Sequence, residues 1–170
     1  FLKKGSDERG YKFPKKLLEL ASQQGDAVAQ HNLGLMFLEG NGVAQNYEKA
    51  KECFEAAAKQ GDATAHFNLG VMFQKGYGVA QNDEKAKEYF EAAAEKGHAK
   101  AQVSLGVMYF QGNGVAQNYE RAKEYFEAAA QQGNADAQFN LALMYQQGEA
   151  LEKNDEKAKE YFEAAAEKGH

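Results

Sequence analysis

A chain of 170 residues with one proline, a net charge of −5 and a mean hydropathy of −0.71 can bury an ordinary core, but it carries too much polar surface for a compact α/β domain and reads as helical. The charge is spread along the sequence rather than gathered in a tail, leaving no basic stripe to release counterions from nucleic acid. The single cysteine, Cys53, excludes an internal disulfide and a metal site of paired thiols.

The chain begins Phe1-Leu2-Lys3-Lys4, without the layout of a signal peptide, and no window approaches the ~18 apolar residues of a spanning helix. The expectation is a soluble chain without membrane insertion. The missing initiator Met implies a mature or excised portion of something longer, from which a targeting segment could have been removed. The compartment, cytoplasmic or exported, stays open.

Gly25, Gly61, Gly97, Gly133 and Gly169 recur at a spacing of 36 residues, and the text between them is nearly the same each time. Residues 26–61, 62–97, 98–133 and 134–169 are four units of one design. Tyr11 aligns with Tyr47 and Leu18 with Phe54, so residues 1–25 are a partial unit, and the whole reads as one repeat domain. Within a unit, Ala29, Leu33 and Phe37 fall at i, i+4 and i+8 with Met36 beside them, which predicts a first helix. Asp26, Asp62 and Asn134 are its expected N-caps, each following a glycine that ends the preceding helix; His98 is the weakest of the four. The loop Gly40-Asn41-Gly42-Val43 follows, its valine expected to tuck between the helices, and in the fourth unit it becomes Gly148-Glu149-Ala150-Leu151.

A second helix then opens at an asparagine such as Asn82, carries acids in its first turn, and gathers Ala86, Tyr89, Phe90 and Ala93 on one side. Its Glu and Lys residues form a solvated face with weak pairs such as Glu84 and Lys87. Such a pair cannot bury both stripes alone, so units must stack, with Gly34, Gly70, Gly106 and Ala142 among the small residues that let helices approach.

Ala29, Leu33-Gly34, Phe37, Gly40, Gly42-Val43, Lys49-Ala50, Ala57-Ala58 and Gly61 in the first unit resemble Sel1-like repeats, relatives of the tetratricopeptide repeat, and the pattern returns in the third from Ala101 to Gly133. The chain departs from that pattern at Cys53, where the family has an aromatic, and it lacks the paired cysteines of the cysteine-rich bacterial branch. The resemblance implies an all-α, right-handed αα-superhelical solenoid of four complete repeats and one partial repeat, acting as a non-catalytic adaptor or scaffold, often in bacteria.

Comparing the units separates positions that must pack from positions free to differ. Along the first helix the varying face holds Asn32 and Leu35 in the first unit, and Thr64, Phe67, Asn68, Val71 and Lys75 in the second. It holds Lys100, Val103, Ser104, Val107 and Phe110 in the third, and Asp136, Phe139, Asn140 and Leu143 in the fourth. In tetratricopeptide-like solenoids this face lines the concave groove, so these residues are the expected site for a protein or an extended peptide, with asparagines for its main chain and apolar patches for its side chains. The plainer alternative has the asparagines bonded within or between helices and the aromatics completing the packing.

No catalytic, cofactor-binding or metal site is expected. His31, His66, His98 and His170 fall at different phases of the repeat, Ser104 merely stands where other units have asparagine, and the loop glycines lack the Lys-Ser/Thr of a phosphate loop. The competing reading is structural: a spacer, or a module that associates end to end through the uncovered stripe of Ala158, Tyr161, Phe162 and Ala165.

Overall fold

The computed structural model describes residues 15–149 and 152–169, the side chains of Lys15 and Leu17 excepted. The alignment of Tyr11 with Tyr47 and the Ala150-Leu151 half of the last loop lie outside these residues. Among the described residues every regular element is an α-helix, as the repeat pattern predicts: α1 (Lys15–Gln23), α2 (Ala27–Glu39), α3 (Tyr47–Lys59), α4 (Ala63–Lys75), α5 (Asp83–Ala94), α6 (Ala99–Gln111), α7 (Tyr119–Gln131), α8 (Ala135–Gln147) and α9 (Asp155–Glu167). The chain is an αα-solenoid of tandem 36-residue repeats. It divides into two compact units, Phe1–Gln81 with α1 to α4 and Asn82–His170 with α5 to α9.

Caps set each boundary. The Asp26, Asp62 and Asn134 side chains accept from the amides of Ala29, Ala65 and Ala137 at 2.7, 2.9 and 3.0 Å, satisfying donors that the first helical turn leaves unpaired. His98 caps as well, its Nδ1 accepting from Ala101 at 3.2 Å, the longest of the set. Asn46, Asn82, Asn118 and Asn154 cap the second helices in the same way. The first helices end at Gly40, Gly76, Gly112 and Gly148 with φ near +74°, +71°, +77° and +75°, where a side chain would be strained.

Within a unit, each helix packs on the next, most extensively inside a repeat (α2 on α3, α6 on α7, α8 on α9) and less across the repeat junctions. The core is the constant set of the repeat: Phe54, Phe90 and Phe126 are wholly or almost wholly buried, as are Leu69, Leu105, Leu141 and the methionines Met72, Met108 and Met144. The loop valines tuck in as expected, Val43 against Leu18, Ala29 and Met36, and Val115 against the cluster of Tyr109, Phe126, Leu141 and Met144.

At Gly34 and Gly106 the close approach is between the two helices of one repeat. A methyl built on Gly34 would stand 2.6 Å from the Phe54 ring, and one on Gly106 2.5 Å from Phe126, so these glycines seat the buried phenylalanine of their own repeat. In the fourth repeat the position is Ala142, and its partner Phe162 is only half-buried. On the second helices Lys87 pairs with Glu91 at 2.8 Å, one turn onward, instead of with Glu84; the backward spacing is realised by Glu120 and Lys123 at 3.4 Å.

Gly106→Leu is therefore expected to cost about 1 to 3 kcal/mol by overpacking against Phe126. Gln111→Leu, exposed on the same helix, is expected to stay within about 0.5 kcal/mol. Thermal or urea unfolding of the two variants checks this, and equal losses would refute the assigned packing.

Candidate functional site

The varying positions of the first helices sit between core and solvent. Asn32, Leu35, Phe67, Asn68, Val71, Val103, Ser104, Val107, Phe110, Phe139, Asn140 and Leu143 are all half-buried, while Thr64, Lys75, Lys100 and Asp136 are exposed. The cause is the helix period: these side chains flank the stripe of Ala65, Leu69 and Met72 or its equivalents, so their bases are packed and their outer atoms are open. In the second unit Val103, Val107 and Phe110 lean on the cluster around Phe126, and Phe139 meets Phe162 edge-on at 5.4 Å. These residues therefore both pack and present surface.

The polar members of this face are more committed than the sequence implies. Asn140 Nδ2 donates to the Asp136 carbonyl at 2.7 Å, and Ser104 Oγ donates to the Lys100 carbonyl at 3.0 Å, both one turn back in their own helix. Asn68 Nδ2 is sealed from solvent and has no hydrogen-bond partner among the described residues. A continuous ladder of amide donors is thus not what the face offers. It offers half-buried apolar side chains and exposed charged residues at Lys75, Lys100 and Asp136.

The second helices carry a separate arrangement. In the third repeat Arg121 lies over the Tyr109 ring at 5.3 Å and donates to its hydroxyl at 2.8 Å, while Tyr125 stacks on the same ring at 5.8 Å. Lys157, Tyr145 and Tyr161 repeat this in the fourth, and Lys49 over Phe37 in the first. There Cys53 takes the place of the second tyrosine, and burial, helped by Glu52 and opposed by Lys49, pushes its thiol up to about 11. It is a poorly reactive packing residue.

The Sel1 repeat model matches residues 27–62, 63–98, 99–134 and 135–170, one residue later than the register marked by the glycines. The chain belongs to the Sel1 repeat family. Sel1 repeat proteins are generally protein-interaction scaffolds and typically non-catalytic. Among solved structures, the protective antigen c5321 of uropathogenic Escherichia coli, with its SLR fold, is similar at 33% identity and a TM-score of 0.90 over 94% of this chain. A Sel1 repeat protein from Oxalobacter formigenes is similar at 34% identity and a TM-score of 0.87 over 92%. This chain spans 34% and 64% of those two chains. Helicobacter pylori cysteine rich protein B is more distant, at 27% identity and a TM-score of 0.59, over 75% of this chain and 97% of its own. No curated protein shows a significant match.

Two features of these Sel1 repeats escaped the sequence analysis. Gln60 Nε2 donates to Gln30 Oε1 and Gln132 Nε2 to Gln102 Oε1, each at 2.8 Å across 30 residues, tying the first helix of a repeat to the end of its second. The signal was the agreement of repeats one and three, where repeats two and four have Lys96 and Lys168. The other is His31, whose Nδ1 is sealed from solvent and lies 3.5 Å from Asp62 Oδ2, with the ring against Phe54 at 5.7 Å.

Burial holds the His31 imidazole below its usual range, against the pull of the Asp62 carboxylate. Above the unfolded value of 6.5 neither state is protonated and nothing is lost. Below it the unfolded chain takes up a proton that the folded chain resists, so stability falls as pH drops through the folded pKa. His31→Phe, the residue found at Phe67 and Phe139, should remove this component. The melting-temperature difference between variant and wild type should grow in the variant's favour as pH falls from about 7.5 to about 5, and a constant difference would exclude the assignment.

Proposed function

We propose that this Sel1 repeat chain is a non-catalytic scaffold that binds a protein or an extended peptide on the first-helix face of its repeats, without nucleic acid or cofactor. The observation that carries the reading is the division within each first helix. The buried positions repeat from unit to unit, whereas the half-buried and exposed ones change chemistry, from Thr64, Phe67 and Lys75 to Lys100, Val103 and Gln111 to Asp136, Phe139 and Gln147. Packing explains why the first set is constant. A surface that is apolar at its base and individually charged at its edge suits recognition of one particular partner. Residues 1–25 and the four full repeats, 26–61 to 134–169, act as one domain in this reading.

A photo-crosslinking residue at Val71 or Val107 should capture a discrete protein in the native host, and the same probe at Glu156 on α9 should not. Lys75→Glu with Lys100→Glu, both exposed, should reduce that yield severalfold while stability stays within about 0.5 kcal/mol. Equal capture from both helices, or a yield indifferent to the charge reversals, would remove the first-helix face from consideration.

A second reading, end-to-end association, is favoured by α9. Phe162 is half-buried where Phe54, Phe90 and Phe126 are closed off, and it lines a 610 Å³ cleft with Ala158, Lys159, Glu163 and Ala166. The shape suits the first helix of a further repeat. Light scattering that shows dimers growing with concentration, lost in Phe162→Glu, supports this reading; a monomer at every concentration counts against it.

A further inference from the structure

The loop between the two helices of the third repeat carries the dipeptide Asn113-Gly114. Residues 112–120 are identical to residues 40–48, so Asn41-Gly42 shares its local chemistry, whereas the other two repeats have Tyr77-Gly78 and Glu149-Ala150 at this place. Asparagine before glycine is labile because the glycine nitrogen, with no side chain beside it, can swing onto the asparagine's own Cγ. In Asn32, Asn68 and Asn140 the following residue is a leucine, and the helix holds its backbone away from that geometry.

At Asn113 the reacting groups are open. The residue is exposed, and the Gly114 nitrogen donates to no group among the described residues. Asn113 Nδ2 donates to Gln111 Oε1 at 2.8 Å, an exposed bond between neutral side chains that water can replace.

The consequence of reaction follows from what the glycine rests on. Gly114, with φ near +67°, lies against the first residue of α5: a methyl built on it would stand 2.6 Å from Asp83 Cβ and 2.9 Å from the Asp83 carbonyl carbon. The loop is also pinned on both sides, the Asn113 amide donating to the Met108 carbonyl at 3.1 Å and the Asn118 amide to the Tyr109 carbonyl at 2.8 Å. Between them Val115 packs on the cluster of Tyr109, Phe126, Leu141 and Met144. An extra main-chain atom between Asn113 and Gly114 has no space there, so either Gly114 leaves Asp83 or Val115 leaves its cluster.

We propose that Asn113 is a site of spontaneous covalent modification, and that its isoaspartyl product unseats this loop from α5. The Gly114 nitrogen loses its proton to solvent and bonds to Asn113 Cγ, while the Cγ–Nδ2 bond breaks and Nδ2 leaves as ammonia with a proton taken from water. Water then opens the succinimide. Cleavage between Cγ and the ring nitrogen gives aspartate; cleavage between the Asn113 main-chain carbonyl carbon and that nitrogen gives isoaspartate, whose main chain runs through Cβ and Cγ and is one atom longer. The net change is an amide and water converted to a carboxylic acid and ammonia, with no oxidant or reductant. The site is independent of the first-helix face, so either can fail without the other.

The test is incubation of the full chain carrying Asn41→Gln, at body temperature and mildly alkaline pH, read by peptide mass mapping and by labelling with an isoaspartyl-specific carboxyl methyltransferase. The peptide that contains residue 113 should gain the mass of water less that of ammonia, with methyl label entering in step. Both should rise with pH, because the attacking amide must first lose its proton, and Asn113→Gln should remove them. The isoaspartyl fraction, isolated by ion exchange, should melt several degrees below the unreacted chain. Asn113→Asp, with the same added charge on an ordinary main chain, should stay within about one degree of it. No conversion at residue 113 while an isolated peptide of residues 110–119 converts would overturn the site, since the packing on α5 would then hold the loop unreactive. Conversion of Asn68 or Asn140 at the same rate would also overturn it. An isoaspartyl chain that melts with Asn113→Asp would overturn the loss of seating.

Discussion

A phenylalanine ring on a 13-residue helix cannot be closed off by one partner helix, and most of this structure follows from that. Phe126 is seated against Gly106 inside its repeat, and it leaves water only because α8 adds Leu141 and Met144 from the next. Phe162 has the first contact surface, through α8, but is half-buried. The stabilising burial of each ring, on the order of 2 kcal/mol, is therefore shared between a repeat and its successor. Repeats of this kind gain stability by stacking, and the stacking surface is fixed in sequence for that reason.

A fixed stacking surface also determines which positions are left to vary. The first helix gives one side to its own second helix and another to the neighbouring repeat, and the residues between those contacts are half-buried at their bases. Leu105 and Gly106 are buried, whereas Val107 and Phe110 are only partly covered where they pack against the cluster around Phe126. Substitution at such positions alters what a partner meets more than it alters folding. That separation is what makes a scaffold adaptable.

The sequence reveals whatever depends on period and local chemistry. The 36-residue spacing, the Asp and Asn caps, the loop valines and the stripe of Ala, Leu and Met all follow from helical geometry and from which residues satisfy open backbone groups, and the structure has them in place. It does not reveal which of two near-equal partners a polar side chain takes. Lys87 chooses Glu91 over Glu84, and Asn140 turns back to the Asp136 carbonyl instead of outward, because each option differs by a fraction of a kcal/mol and the local rotamer decides. The glutamine pairs were illegible for another reason. Gln30 and Gln60 meet only after two helices have folded back on each other, and no single helical window contains both.

Those pairs expose an order above the single repeat. Repeats one and three share Tyr47 with Tyr119 and Gln60 with Gln132, while repeats two and four share Asp83 with Asp155 and Lys96 with Lys168. At these positions repeats in alternate places agree where neighbours differ. Gln30 and Gln102 accordingly take equivalent partners, Gln60 and Gln132, each at 2.8 Å. In repeats two and four the end of the second helix carries a lysine in place of that glutamine, so the tie belongs to alternate repeats and not to the 36-residue design as such.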